Sequence, residues 1–275
     1  MKMQYFKIYF FCFISLFFIL VTSCNPSGKK GSVIKRNKAL IVHHLKDEYS
    51  FDKQVIEIDS FILANGKVAT SLDYSKENGE SVQVDAHLND DEKFLLVQEN
   101  FTSAQGGESG LRFYYFNKNK VFVTKEIFQN AVNITNPTFT ERVSYYAPNG
   151  ICLKTKERKG NSPDILERLS FKAAPKYVCN IDKAIRALNR EGEFRLTFQG
   201  FINSTQGKYM VIGEPGKEGF TSALKIDKSD EFIQEIEKDE MRFINATIYL
   251  KFERILETNG FKFQRYLKGS WTKIS

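Results

Sequence analysis

The clearest periodicity in the chain lies near its C-terminus, where Ile244, Ala246, Ile248, Leu250 and Phe252 alternate with Asn245, Thr247, Tyr249, Lys251 and Glu253. Successive side chains of a strand point to opposite faces, so period two predicts a strand with one buried face. Asn259-Gly260 then turns the chain into a further strand at Phe261-Lys262-Phe263. Upstream, Phe194–Ile202, Tyr209–Ile212 and Phe220–Ile226 read as three more strands. They are followed by a helix capped at Ser229 and running to about Phe243, with Phe232, Ile233 and Ile236 on adjoining turns. Nearer the N-terminus, Asn37 is expected to cap a short helix ending at Leu45. Strands are then expected at Val55–Leu63, Val68–Tyr74, Val82–Leu88 and Phe94–Glu99, with Asn65-Gly66 as a hairpin turn.

Between these regions the pattern repeats. Arg112-Phe113-Tyr114-Tyr115-Phe116-Asn117 and its continuation to Val123 align, thirty residues on, with Arg142-Val143-Ser144-Tyr145-Tyr146-Ala147 and its continuation to Leu153. Each copy reads strand, turn, strand, and a repeat of hairpins makes a meander in which each unit buries its face against the next. The repeat resembles the aromatic hairpin repeats of exported proteins from Bacteroides-like bacteria. The C-terminal order of three strands, a helix and two strands is similar to that of OB-fold barrels. The expected fold is mainly β: an antiparallel hairpin meander or sandwich over residues 39–190, then a smaller OB-like β-barrel domain with one helix over 191–275. The short helical segment Asp182–Arg190 marks the boundary.

Hydropathy changes character at the N-terminus. Lys2 and Lys7 precede or flank an apolar run from Ile8 to Val21 in which Ser15 is the one clearly polar residue. A run of that length falls short of the roughly 20 residues a spanning helix needs and has the form of a secretory signal. It ends Val21-Thr22-Ser23-Cys24, which resembles the lipobox of bacterial lipoproteins. The resemblance implies a signal peptide over 1–23, cleavage before Cys24 and lipid on that cysteine. With Asn25 rather than aspartate next, it also implies delivery to the outer membrane, facing the periplasm.

The formal charge of +7 is unevenly placed. Lys2 and Lys7 leave with the signal. Lys29, Lys30, Lys35, Arg36 and Lys38 sit without an acid in a basic tether over residues 24–38, so residues 39–275 are balanced. Such a segment is a leash that lies on anionic headgroups. It is no nucleic-acid footprint, and no nucleic-acid partner is expected. Of four cysteines, Cys12 leaves with the signal and Cys24 carries lipid. Cys152 and Cys179 remain, in an oxidising compartment where disulfides persist. Paired, they would close a loop of about 28 residues and add roughly 3 kcal/mol; the alternative is two separate buried thiols.

Chemistry is harder to find. Adjacent His43 and His44 point to different sides of any regular element. No His-Glu-x-x-His or paired Cys-x-x-Cys occurs, so no metal or cofactor is expected. Gly106-Gly107-Glu108-Ser109-Gly110 misses the nucleophile-elbow spacing, and Gly213–Gly219 lacks the Lys-Ser/Thr of a phosphate loop. Asp90-Asp91-Glu92 reads as a solvated turn. What stands out is aromatic: Tyr114, Phe116, Tyr145 and Tyr146 place rings on both faces of their strands, and rings not used in the core would form a partner-binding face. The leading expectation is a non-enzymatic binding or scaffolding lipoprotein. Its partners are the membrane through Cys24 and either another envelope protein or a glycan. Two alternatives stand beside it. Ser109-Gly110-Leu111-Arg112-Phe113 is similar to the Ser-Gly loop of small β-barrel lysozyme-inhibitor lipoproteins, which implies a hydrolase inhibitor. A carbohydrate-binding or carbohydrate-active accessory would use aromatic platforms and paired carboxylates in a cleft.

Overall fold

The computed structural model describes residues 35–130, 137–216, 218–258 and 262–271, with side chains from residue 48 onward. Cys24, the signal peptide, most of the tether and the side chains of His43 and His44 lie outside the described residues. Met1–His44 and Leu45–Ser275 are separate units. In the first, the backbone described is helical from Lys35, within the stretch read as tether. Apart from the start of helix α1, all that follows concerns the second.

Helix α1 spans Lys35–Asn65, so the strand expected at Val55–Leu63 is instead its last turns. Phe51, Val55, Ile58 and Ile62 recur at steps of four, three and four, which puts them on one helical face. That face packs on the sheet against Tyr115, Val123, Val143 and Tyr145. Asn65-Gly66 closes the helix and makes no hairpin: the Gly66 N–H donates to the Ile62 carbonyl at 3.1 Å. A Cβ at Gly66 would stand 2.8 Å from that oxygen, so glycine is the residue that lets the chain leave there.

Nine strands follow: β1 (Lys67–Thr70), β2 (Tyr74–Ser75), β3 (Ser81–Leu88), β4 (Phe94–Thr102), β5 (Glu108–Asn117), β6 (Lys120–Asn130), β7 (Thr138–Tyr146), β8 (Cys152–Gly160) and, after helix α2 (Pro163–Arg168), β9 (Lys172–Ala174). From β2 to β9 each pairs antiparallel with the next, a continuous meander, and β1 pairs with β3. The sequence repeat is the β5–β6 hairpin followed by the β7–β8 hairpin. Both carry a register shift at the equivalent place, between Tyr115 and Phe116 and between Tyr145 and Tyr146.

Helix α3 (Asp182–Asn189) leads into the C-terminal part: β10 (Phe198–Ser204), β11 (Gly207–Gly213), β12 (Thr221–Ile226), helices α4 (Glu231–Lys238) and α5 (Glu240–Phe243), β13 (Ile248–Leu256) and β14 (Lys262–Trp271). The cap of α4 is Asp230, one residue past the expected Ser229; its carboxylate accepts from the Ile233 N–H at 3.0 Å. In space these strands run β10-β11-β12-β14-β13, with β12 and β14 parallel at Lys225 and Arg265. A single antiparallel bridge, Thr197 to Thr247, links the approaches to β10 and β13. This is the order of an OB-like, partly open barrel. The sheet as a whole is not closed, because β12 also pairs with β2 at Thr221 and Ser75 and so continues into the meander. One apolar core runs through the join, with Leu72, Tyr74, Val84 and Val97 from the meander against Phe194, Phe198, Leu224 and Ile236. Ala184 and Ala187 bring α3 into it without exposed surface.

Candidate functional site

Two regions of the sheet concentrate charge. The first is a ladder across the meander face opposite α1. Glu99 on β4, Arg112 on β5, Glu126 on β6, Arg142 on β7 and Glu157 on β8 stand directly opposite one another, each to the next, and Lys172 on β9 stands opposite Glu157. Charges therefore alternate in sign strand by strand, the favourable arrangement for cross-strand neighbours. Arg112 reaches Glu99 at 3.3 Å and Glu126 at 3.0 Å; Arg142 reaches Glu126 at 3.1 Å and Glu157 at 3.5 Å. Glu99 and Glu126 are buried, 1% and 2% exposed. The Tyr114 hydroxyl donates to Glu99 at 3.0 Å, and Arg112 lies 3.6 Å over the Phe101 ring.

The cysteines belong to this neighbourhood and are not joined. Both are free: Cys152 Sγ contacts the Lys154 carbonyl and Thr155 Oγ1, while Cys179 Sγ lies 3.5 Å from the Tyr114 hydroxyl and 3.6 Å from Glu126. The expected disulfide is corrected accordingly; the two thiols sit in different hydrogen-bonded settings, Cys152 beside the β8 backbone and Cys179 at the ladder. Burial, and then the charge of Glu126, push the Cys179 thiol up to about 12. It stays protonated near neutrality and is no thiolate nucleophile. Burial would lower the Arg112 pKa, but the carboxylates of Glu99 and Glu126 outweigh it and raise it, so the guanidinium is locked charged. Burial and Glu99 likewise raise Tyr114. The ladder is internally satisfied and offers no proton, thiolate or open position to a substrate.

The four aromatics expected at a binding face are in the interior. Tyr114, Phe116, Tyr145 and Tyr146 are 0%, 8%, 2% and 4% exposed. The reason is that both faces are covered. Tyr145 turns toward α1 and donates to Asp52 at 2.9 Å, stacking on Phe51. Tyr146 turns the other way, donates to the Tyr177 carbonyl at 3.1 Å and accepts from the Cys179 N–H. Ser109-Gly110, read as part of an inhibitor-like loop, is strand interior in β5, opposite Gln129 and Phe128. A Cβ at Gly110 would fall 2.2 Å from the Ile127 carbonyl, so that glycine serves close strand packing. Asp90, Asp91 and Glu92 are exposed in the β3–β4 turn, and Gly213 to Gly219 joins β11 to β12. Among the described residues no group of three or more His, Cys, Asp or Glu is placed to hold a metal ion, and no helix is long and apolar enough to cross a membrane.

The second charged region has no local signal in the sequence. The α1-side face of β3 to β5 and the overhanging β13–β14 hairpin enclose a pocket of about 320 Å³. Its floor is a grid: Gln83 stands opposite Asn100, and Asp85 opposite Gln98. The hairpin brings Arg254 and Lys262, and the chain between β1 and β2 brings Asp73. Arg254 donates from Nη1 to Asp85 at 2.7 Å and from Nη2 to the Ser71 carbonyl at 2.7 Å. Its Nε and Asp73 Oδ1, 3.9 Å apart, are buried and have no hydrogen-bond partner. Burial raises the Asp73 pKa, and Asp85 adds to the rise against Arg254 and Lys262. The side-chain amides of Gln83, Gln98 and Asn100 make no hydrogen bond among the described residues, whereas the neighbouring Gln264 is fully engaged with Asp73 N–H and Ser222. Asp73, Asp85 and Arg254 come together from positions up to 181 residues apart.

Compared with models of protein families, with curated proteins and with solved structures, the chain finds no match.

Proposed function

We propose that this chain is an envelope lipoprotein, held on the outer membrane by lipid on Cys24 and facing the periplasm, and that its β-rich unit acts by binding a partner. The anchor rests on the apolar run and Val21-Thr22-Ser23-Cys24. The observation that carries the binding reading is the pocket beneath the β13–β14 hairpin, where the amides of Gln83, Gln98 and Asn100, without protein partners among the described residues, converge with Asp85, Arg254 and Lys262. Convergent polar groups in a concavity are the usual mark of a ligand site. The ladder, by contrast, uses up its own charges.

Two measurements test this reading. In fractionated cells the chain should be in the outer membrane, and Cys24→Ala should move it to the soluble fraction; retention of the variant in the membrane would remove the anchor. A photo-crosslinking residue at position 100, at the pocket floor, should give an adduct in intact cells that one on the exposed β3–β4 turn at position 91 does not. Equal labelling at both positions would remove the binding reading.

A further inference from the structure

We infer that the pocket beneath the β13–β14 hairpin takes a neutral, hydroxyl-rich ligand, a carbohydrate of one or two rings. This rests on the binding reading above and narrows it to a chemical class.

Charge comes first. The pocket contains two carboxylates, Asp73 and Asp85, and two cations, Arg254 and Lys262. A charged ligand would leave one of these sets in excess in a half-buried place, where an unbalanced charge is costly. A neutral ligand leaves the balance alone.

Hydrogen-bonding capacity comes second. Asp73 Oδ1 only accepts and Arg254 Nε only donates, and at 3.9 Å they are too far apart to satisfy each other. Both atoms are sealed from water, so a ligand meets Asp85, about a third exposed, and Lys262 instead, and a hydroxyl donates to the first and accepts from the second. The amides of Gln83, Gln98 and Asn100 each add a donor and an acceptor. On the pleated floor these groups stand about 5 Å apart across strands and about 7 Å along them, so a ligand of one or two rings reaches several of them at once. Leu111 and Phe263 supply apolar surface for the C–H faces of such a ring. At about 320 Å³ the pocket is small for a ligand site, which limits it to one or two rings.

A peptide is the competing neutral ligand. Extended peptides are held mainly by backbone ladders on a free sheet edge. Here the polar groups are side chains on a sheet face, and β3 and β4 are each paired on both sides. The geometry favours the sugar.

The test uses the full-length lipidated chain in a detergent without a sugar headgroup, followed by saturation-transfer NMR and calorimetric titration. The probes are maltose, cellobiose and N,N′-diacetylchitobiose, with glucuronate and capped triglycine as charged and peptide comparators. At least one neutral disaccharide should bind. The Gln98→Ala, Asn100→Ala double variant should weaken it about tenfold or more, from the loss of two hydrogen-bonding groups, with its melting temperature kept. Three results would overturn the inference: no neutral sugar binds, glucuronate or triglycine binds more tightly than every neutral sugar, or the double variant binds as well as the parent. If sugars fail while the crosslinker at position 100 still captures a partner in cells, the ligand class is wrong and the binding reading survives. If both fail, the binding reading falls with it.

Discussion

The two charged regions of this sheet are built from similar residues and behave oppositely. In the ladder, Glu99 and Glu126 are nearly inaccessible, yet each meets Arg112, and Glu126 meets Arg142 as well. In the pocket, Arg254 is anchored by Asp85 and the Ser71 carbonyl, yet its Nε and the facing Asp73 Oδ1, 3.9 Å apart, make no hydrogen bond. The difference is positional. The ladder lies on consecutive strands of one meander, so register alone brings opposite charges face to face. The pocket lies where a hairpin from the C-terminal part overhangs that meander, and strand pairing specifies no mutual register there. Charges aligned by a ladder close on one another at hydrogen-bonding distance; charges brought together across a join meet at longer range, as Arg254 Nε and Asp73 Oδ1 do at 3.9 Å.

The comparison predicts that removing one ladder charge is the most damaging change. Arg112→Met should cost about 3–5 kcal/mol in urea unfolding, because it leaves the buried Glu99 without a cation and Glu126 with Arg142 alone. Restoring neutrality with Glu99→Gln in the same chain should recover most of that loss, since Glu126 keeps Arg142. A cost below about 1 kcal/mol for Arg112→Met, the range of exposed pairs, would mean that the ladder is superficial. Tyr114→Phe comes next. It removes the hydroxyl that donates to Glu99 at 3.0 Å and should cost about 1.5–3 kcal/mol, the range for a bond to a charged group.

Much of this architecture is legible in the chain. The thirty-residue repeat around Arg112 and Arg142 returns as two consecutive hairpins with the same register shift. Tyr114-Tyr115 and Tyr145-Tyr146 do send rings to both faces, because strand periodicity leaves no other arrangement. The C-terminal strand order is OB-like in its pairings as well as along the chain. Legibility fails where a local signal is ambiguous or where contact is remote. Val55, Ile56, Ile58 and Ile62 are β-branched and suggest a strand, but the step between Phe51, Val55, Ile58 and Ile62 is helical, and burial of that one face decides. The ladder had a signal that went unused: Arg112 and Arg142 occupy equivalent repeat positions, each facing a glutamate on the next strand. The pocket had none, since Asp85 and Arg254 are 169 residues apart. Neither could sequence place Cys152 and Cys179 at separate partners, since spacing carries no distance.

On the pocket side the effects shrink and depend on pH. Burial raises the Asp73 pKa above its unfolded value of about 3.9. Between those two values the folded state holds the proton more tightly than the unfolded state. Asp73 therefore contributes a stability that is present at low pH and is lost as pH rises through the window. Asp73→Asn abolishes that titration, so its melting temperature should gain on the parent's as pH rises from 3 to 7. A difference that instead moves against the variant with rising pH would mean that Asp73 is a well-paired carboxylate.

The smallest expected effect on stability separates the two regions most cleanly. Gln98→Ala with Asn100→Ala removes two amides that bond to nothing in the described fold, so no buried partner is left wanting. The change in unfolding free energy should stay within about 0.5 kcal/mol, as for surface positions without a structural role. Truncation in the ladder leaves a charge stranded; truncation here leaves a slightly larger cavity open to solvent. A loss above about 1 kcal/mol in urea titration would show the amides holding the hairpin over the sheet, and their lack of partners would then say nothing about a ligand. Near-neutral stability with unchanged secondary structure would leave the amides without a role inside the molecule, as expected of groups kept for a partner outside it.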